Sequence, residues 1–218
     1  MLSIIIPVYN KEKTIEEIIS KVNSLPIEKE ILVVNDCSKD RTAEILRLLS
    51  FNNLKVIHHA STRGRGAAVR TGLDNASGEF VIVQEADLGY DPNDCLPLLE
   101  AVKSGKADIA LGCRFAKGAK GSRLLAGLMN NLFGVKLNDC FSCYKLMRRE
   151  SILGLGLKSG SFDIEIEILA KAIKKGMRIL EMPVSYNLGS HKDGKKVKPG
   201  DGIWAIMRVI YFKLSLKP

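Results

Sequence analysis

Two hydrophobic rhythms alternate along the first half of the chain. Ser3–Val8 (SIIIPV) is a short β-branched run ending at the turn-like Tyr9-Asn10, which predicts a strand. Ile15, Ile18, Ile19 and Val22 then recur at i, i+3, i+4 and i+7, the spacing of one helix face. The alternation continues with strands at Glu30–Val34, Leu54–His58, Glu79–Val83 and Asp108–Leu111. Helical patterns carry Ile45, Leu48 and Leu49, then Ala67–Asn75, then Asn93–Val102, with Ser38 or Asp40 placed to cap the first of these. Strands separated by helical segments imply βαβ units and a mostly parallel sheet covered on both faces. Ligands of such sheets bind beyond the carboxyl ends of the strands, so the residues just after each strand are the candidates for chemistry.

From about residue 115 the rhythm changes. Ala116–Gly121 reads as a Gly/Lys loop, Arg123–Phe133 as a helix, Cys143–Met147 as a strand and Arg178–Val184 as another. Phe162, Ile166, Leu169 and Ile173 make one helical stripe, with Glu165 nearer to it and Asp163 and Glu167 facing away. Ser190–Gly202 is a basic, glycine-rich loop expected to be mobile, and Gly202–Leu216 is an apolar helix that exceeds what one packing face needs.

Composition narrows the class. With 218 residues, 46% apolar and 26% charged, the chain falls among soluble globular proteins, and no linker or repeat divides it. No apolar run reaches the roughly 18–20 residues of a spanning helix, and the start lacks the basic region of a signal peptide. The net charge of +9 favours acidic partners such as nucleotides, phosphates or anionic lipid. Nucleic acid is not expected, since aromatic residues are 6% of the chain and no recognition motif is present. The five cysteines are an odd number and read as free thiols of a reducing compartment; Cys140-x-x-Cys143 lacks the second pair a zinc site needs.

Polar groups cluster at the strand ends. Tyr9 and Asn10 follow the first strand, Asn35, Asp36 and Ser38 the second, and Glu85-Ala86-Asp87 the fourth. Two carboxylates one residue apart call for a cation between them, and a hard divalent ion bridging to a diphosphate satisfies that chemistry. Solvated loop acids would give the same spacing. Thr62–Ala68 (TRGRGAA) precedes a helix whose free N–H groups would favour an anion, although Val69 breaks the dinucleotide fingerprint. Arg114 follows the fifth strand and Arg123 lies on the next helix.

In order along the chain, Pro7-Val8-Tyr9-Asn10, Val33-Val34-Asn35-Asp36-x-Ser38-x-Asp40-x-Thr42, Gly64-x-Gly66-Ala67-Ala68, Glu85-Ala86-Asp87 and Gly112-x-Arg114-Phe115 resemble family 2 glycosyltransferases of the GT-A fold. Cys143-Tyr144-Lys145-x-x-Arg148-Arg149-Glu150, Phe162-x-x-Glu165-x-Glu167 and Gly176-x-x-Ile179-x-Glu181-x-Pro183-Val184-x-Tyr186 extend the resemblance over nearly the whole chain. The subgroup it is most similar to makes polyprenyl- or dolichyl-phosphate mannose or glucose. The resemblance implies an α/β nucleotide-binding sandwich, a mixed central sheet with helices on both faces and a C-terminal amphipathic helix. Residues 1–200 would form the GT-A domain. Residues 201–218 would be a helix of that domain or a contact with a membrane or partner. The implied reaction is inverting transfer of a hexose from a GDP- or UDP-linked sugar to a lipid phosphate, in the cytoplasm at the inner face of a membrane, by a peripheral protein using Mg2+ or Mn2+. The resemblance makes Asp87, Arg114 and Arg123 catalytic and gives the metal to Glu85 and Asp87. Pro7, Tyr9, Asn10, Asp36, Ser38, Arg65, Glu85, Ala86, Asp87 and Lys195 would hold the donor, Asp36 through the nucleobase.

The chain departs from the family pattern at Lys11, Asn35, Glu85 and Gly189, where the family carries Glu, Asp, Asp and Arg. Lys192, Lys195 or Lys196 is the expected substitute for the missing loop arginine. Glu165 is expected to orient an arginine such as Arg123. Two other readings stay open. One is transfer to a hydroxyl acceptor, for which Asp139 is the candidate base; the other is a non-catalytic relative that binds nucleotide or lipid.

Overall fold

The computed structural model describes residues 1–114, 120–187 and 199–215. Seven strands form one sheet: β1 (Leu2–Val8), β2 (Lys29–Asn35), β3 (Leu54–His58), β4 (Phe80–Val83), β5 (Ile109–Cys113), β6 (Lys145–Arg148) and β7 (Ile179–Pro183). Their order is β3-β2-β1-β4-β6-β5-β7. β3, β2, β1 and β4 run parallel, as the alternating pattern predicts. β6 runs antiparallel between β4 and β5, and β7 pairs parallel with β5 at the far edge. Reversal at β6 restores β5 to the direction of β4, so β1, β2, β4 and β5 all end on one edge of the sheet.

Successive strand residues serve opposite faces. Leu2, Ile4, Ile6 and Val8 pack with Ile15, Ile18, Ile19 and Val22 of α1 (Ile15–Asn23), Leu46 of α2 (Thr42–Leu48) and Leu98 and Val102 of α4 (Cys95–Lys103). Ile5, Leu32, Val81 and Val83 pack on the other face. Val69 and Leu73 of α3 (Arg65–Asn75), Ile152 of α6 (Arg149–Leu153) and Ile164 and Ile168 of α7 (Ile164–Lys174) cover them. A third cluster joins Leu125 and Met129 of α5 (Lys120–Phe133), Ile166 and Leu169 of α7, and Val209 and Phe212 of α8 (Pro199–Ser215).

Three sequence expectations change. Phe162 lies outside the stripe, half exposed ahead of α7, whereas Asp163, Glu165 and Glu167 are all buried. The stripe widens because α7 is covered on one side by the sheet and α3 and on the other by α5 and α8. The expected loop 190–202 ends early, since Pro199–Gly202 belong to the first turn of α8; its remainder lies outside the described residues. The helix of the Gly-rich segment starts at Arg65, two residues ahead of expectation.

Candidate active site

The loops after β1 and β2 are fastened to each other. Asn10 has a φ of 52°, its amide donates to Ser38 Oγ (3.0 Å), and its Oδ1 accepts from the Lys39 amide (2.8 Å). Ser38 Oγ in turn donates to Asn35 Oδ1 (2.6 Å). Asn10 and Ser38 therefore shape the crevice through their own hydrogen bonds. Tyr9 is exposed at its mouth, and Pro7 is buried within β1. The N-cap position of α2 is Arg41 rather than Ser38 or Asp40; Asp40, one residue ahead of it, accepts from the Thr42 amide through Oδ1 at 3.0 Å.

Asp36 is buried at the end of β2. Its Oδ1 accepts from His59 Nδ1 (2.7 Å) and the Arg63 amide (2.8 Å), and its Oδ2 from the Gly64 amide (2.8 Å). Burial alone would raise its pKa; the Arg63 amide, His59 and the Gly64 amide overcome that and hold it below the usual carboxylate range. Asp36 thus anchors loop 59–64, and Oδ2 keeps one lone-pair direction for a further donor.

The glycines of that loop answer to a neighbour in the fold. Gly64 has a φ of 93°, and a Cβ there would lie 2.4 Å from the Gly160 carbonyl oxygen; one on Gly66 would lie 2.5 Å from that of Ser159. The Gly66 and Ala67 amides donate to the Gly160 oxygen at 3.0 and 3.3 Å. The expected anion-binding helix start is therefore corrected: segment 159–161 already occupies those first-turn N–H groups. Glu167 fixes that segment from α7, accepting from the Lys158 amide (3.0 Å) and the Ser159 amide (2.7 Å) and pairing with Lys171 (2.6 Å).

Arg65, the first residue of α3, reaches into a buried charge cluster. Its Nε (3.1 Å) and Nη2 (2.7 Å) donate to Glu85 Oε1, and its Nη1 donates to Glu165 Oε1 (2.6 Å). Glu165 Oε2 accepts from Lys145 Nζ (2.5 Å), which also donates to the Ser142 carbonyl. The partner of Glu165 is thus Arg65 with Lys145, not Arg123. Burial would raise the Glu165 pKa, but Lys145 and Arg65 hold it low. Cys143 is buried beside the cluster, and desolvation followed by the charge of Glu85 pushes its thiol well up, which makes it inert packing.

These placements test the Glu85/Asp87 pair as a metal site. Arg65 already occupies Glu85 Oε1 twice, which commits that oxygen to a guanidinium and leaves Oε2 as the one Glu85 atom that could meet a divalent ion. Asp87 is buried at the same strand end with Oδ1 accepting from the Gly89 amide (3.1 Å), a carboxylate aimed by the turn that follows it. Among the described residues no three His, Cys, Asp or Glu side chains are grouped to hold a metal by themselves. Ala86, buried between the two acids, accepts from Thr14 Oγ1 through its carbonyl (2.6 Å) and so ties this turn to α1.

At the end of β5, Arg114 is held by Asp139: Nε donates at 2.6 Å to Oδ2 and Nη2 at 2.9 Å to Oδ1. Asp139 is 1% exposed, and its amide donates to Glu181 Oε1 at 3.0 Å. The guanidinium lies 5.0 Å from the Tyr186 ring centre; Tyr186 meets Tyr90 edge-on at 4.8 Å, and Tyr90 stacks on Tyr144 at 4.5 Å. Asp139 is therefore not a free base: its carboxylate is spent on Arg114. Arg123 is exposed on α5. Lys192, Lys195, Lys196 and Gly189 lie outside the described residues. Sequence reasoning gave no role to Lys145, Tyr90 or Tyr186. Lys145 and Tyr186 stand within the motifs quoted above, but only the packing of β6 and β7 beside β5 reveals their partners.

This edge and sheet order are those of the GT-A fold. Glucosyl-3-phosphoglycerate synthase from Mycobacterium tuberculosis, solved with Mn2+, UDP and glucosyl-3-phosphoglycerate, superposes with a TM-score of 0.77 at 18% identity, over 100% of this chain and 81% of that one. The sequence model described as "Glycosyl transferase family 2" matches residues 3–155, and the chain belongs to that family. It is 33% identical to the dolichol-phosphate mannosyltransferase of Pyrococcus furiosus, over 96% of this chain and 62% of that protein. It is 31% identical to the polyprenol monophosphomannose synthase of Mycolicibacterium smegmatis, over 84% of this chain and 76% of that one. The chain thus spans less than two thirds of the length of the Pyrococcus protein.

Proposed function

We propose that this chain transfers a hexose, with inversion, from a GDP- or UDP-linked sugar to a polyprenyl or dolichyl phosphate at the cytoplasmic face of a membrane. The observation that carries the choice of a phosphate acceptor is the Arg114–Asp139 pair. It provides a fixed cation at the site edge and consumes the one carboxylate considered as a base for a hydroxyl. A phosphate oxygen is ionised near neutral pH and attacks without a strong base. Arg114, held flat by Asp139 and Tyr186, orients that phosphate, and Arg123 on α5 adds a second, exposed charge. Tyr9, Asp36 through Oδ2, and the Pro7 end of β1 bound the nucleoside side, and Lys195 is proposed as a further donor contact. Mg2+ or Mn2+ would rest on Asp87 and the donor's diphosphate oxygens, where it would neutralise the leaving diphosphate.

The outward row of α8 supports a lipid surface as partner. Ile203, Met207, Ile210 and Leu214 are 64%, 55%, 42% and 78% exposed, and Leu124 of α5 is 70% exposed. On a chain of net charge +9 an apolar row of this kind suits an anionic bilayer interface. Among the described residues no helix is long and apolar enough to cross a membrane. We read α8 as part of the same domain, since Val209 and Phe212 complete the α5/α7 core.

The test incubates the protein with GDP-mannose or UDP-glucose, Mn2+ or Mg2+, and a short polyprenyl phosphate in anionic vesicles. A lipid-phosphate sugar sensitive to mild acid is the expected product. Transfer only to added saccharide hydroxyls, or to nothing, would overturn the proposal. Vesicle flotation that is unchanged by Ile203→Ser with Leu214→Ser would remove the lipid surface from it.

A further inference from the structure

The charge cluster at the carboxyl end of β4 balances without a metal. Arg65 and Lys145 face Glu85 and Glu165, two cations against two anions, with Arg65 9%, Glu165 5% and Lys145 2% exposed at the side chain. Charges so far from water are tolerated when each has a partner and its hydrogen bonds. Glu85, 24% exposed at the side chain, is the member nearest solvent. A divalent ion on Glu85 Oε2 would share with Arg65 the one carboxylate that fixes its Nε and Nη2, and would draw negative charge away from a guanidinium in a nearly closed site. The longer side chain explains the geometry: the additional methylene of Glu lets this acid reach across from β4 to the first residue of α3.

We infer that Glu85 is a positioning residue for Arg65, and that Glu85, Glu165 and Lys145 together hold the Arg65 guanidinium as a built-in cation at the donor site. Three guanidinium N–H groups go to the two carboxylates, one face lies against Phe162 with its ring centre 5.4 Å away, and two of the five N–H groups remain for an anion. Lys145 keeps Glu165 ionised, Glu165 keeps Arg65 in place from behind, and Glu85 fixes the plane of its fork. The ligand addressed is the diphosphate of a nucleotide, so the inference rests on the donor chemistry proposed above.

Two measurements separate this from a metal-ligand role. First, UDP and GDP affinities are measured by calorimetry for the parent, Glu85→Gln, Arg65→Gln and the double variant, each with Mn2+ and with EDTA. Each single variant should weaken the bound nucleotide by about tenfold in EDTA, the size of one loosened charge-assisted contact. The double variant should be no weaker than the worse single one, and the ratio of the Mn2+ and EDTA affinities should be unchanged in Glu85→Gln. Loss of the Mn2+ effect in Glu85→Gln with EDTA affinity intact would make Glu85 a metal ligand and overturn the inference. Second, thermal melting of the same four proteins needs no ligand: the double variant should lose no more than the larger single loss, and additive losses would overturn the pairing. Absence of any nucleotide binding by the parent would count against the donor chemistry alone, and the melting cycle would still decide the pairing.

Discussion

At the residue scale, the side chains with the strongest chemistry are mostly those that hold another in place. Asp139 invites assignment as a base by residue type, yet it is buried and forked onto Arg114. Breaking a buried ion pair from one side costs about 3–5 kcal/mol, because the remaining charge is left without compensation. Asp139→Asn should therefore lower the melting temperature and raise the acceptor KM at least tenfold, while nucleotide affinity stays within about twofold of the parent. Steady-state kinetics with varied acceptor decides it, and an unchanged acceptor KM would show that Arg114 needs no such anchor. Asp36 teaches the same lesson: its place at a strand end was legible in the chain, but three hydrogen bonds from His59, Arg63 and Gly64 were not, since those donors arrive from beyond β3.

At the element scale, strands and helices follow from periodicity, while their ends follow from neighbours. α3 begins at Arg65 because the Gly160 carbonyl accepts from the Gly66 and Ala67 amides, a contact made by a loop almost a hundred residues later. Gly66 is required by that approach. Gly66→Ala places a Cβ 2.5 Å from the Ser159 oxygen, so the segment must shift, at about 1–3 kcal/mol. Gly127→Ala on the exposed side of α5 meets nothing within 4 Å and should be neutral or stabilising by up to about 1 kcal/mol. Urea unfolding of the two variants compares them directly; equal stability would mean that segment 159–161 gives way freely. α7 is the element that pattern reasoning described least well. A single stripe was visible in Ile166, Leu169 and Ile173, but Glu165 and Glu167 are buried because Arg65, Lys145, Lys171 and two backbone amides come to meet them.

At the scale of the whole molecule, buried acids and thiols set the pH range of stability. Asp36, Glu165 and Glu167 each have a folded-state pKa below the ordinary value, despite burial, because of the bonds described above. Their contribution is present above the unfolded carboxylate values of about 3.9–4.3 and is lost as the pH falls through the lower folded values. The thiols of Cys95, Cys113 and Cys140 are pushed up to about 12 by burial, so their contribution is present below the unfolded value of roughly 8.5 and lost as pH rises beyond it. The melting temperature should thus hold a plateau from about pH 5 to 8.5 and fall on both sides. Glu167→Gln should flatten the acid fall, and a melting temperature still level at pH 3 would contradict these assignments.

The chain by itself determined the parallel half of the sheet, the helices between its strands and the edge where polar residues gather. Those features depend on residues close together in sequence and on the fixed periods of helix and strand. The ordered motifs also carried the family, because they keep their order and spacing along the chain. Tertiary structure alone decided what each polar group at that edge is free to do. Which carboxylate is paired, which amide is capped and which glycine faces a carbonyl depend on contacts such as Arg65–Glu165 and Gly66–Gly160, joined across about a hundred residues by the packing of α7 against α3. What a charged group can still offer a ligand depends on the hydrogen-bonding positions that its partners in the fold leave open, and local sequence carries no record of those partners.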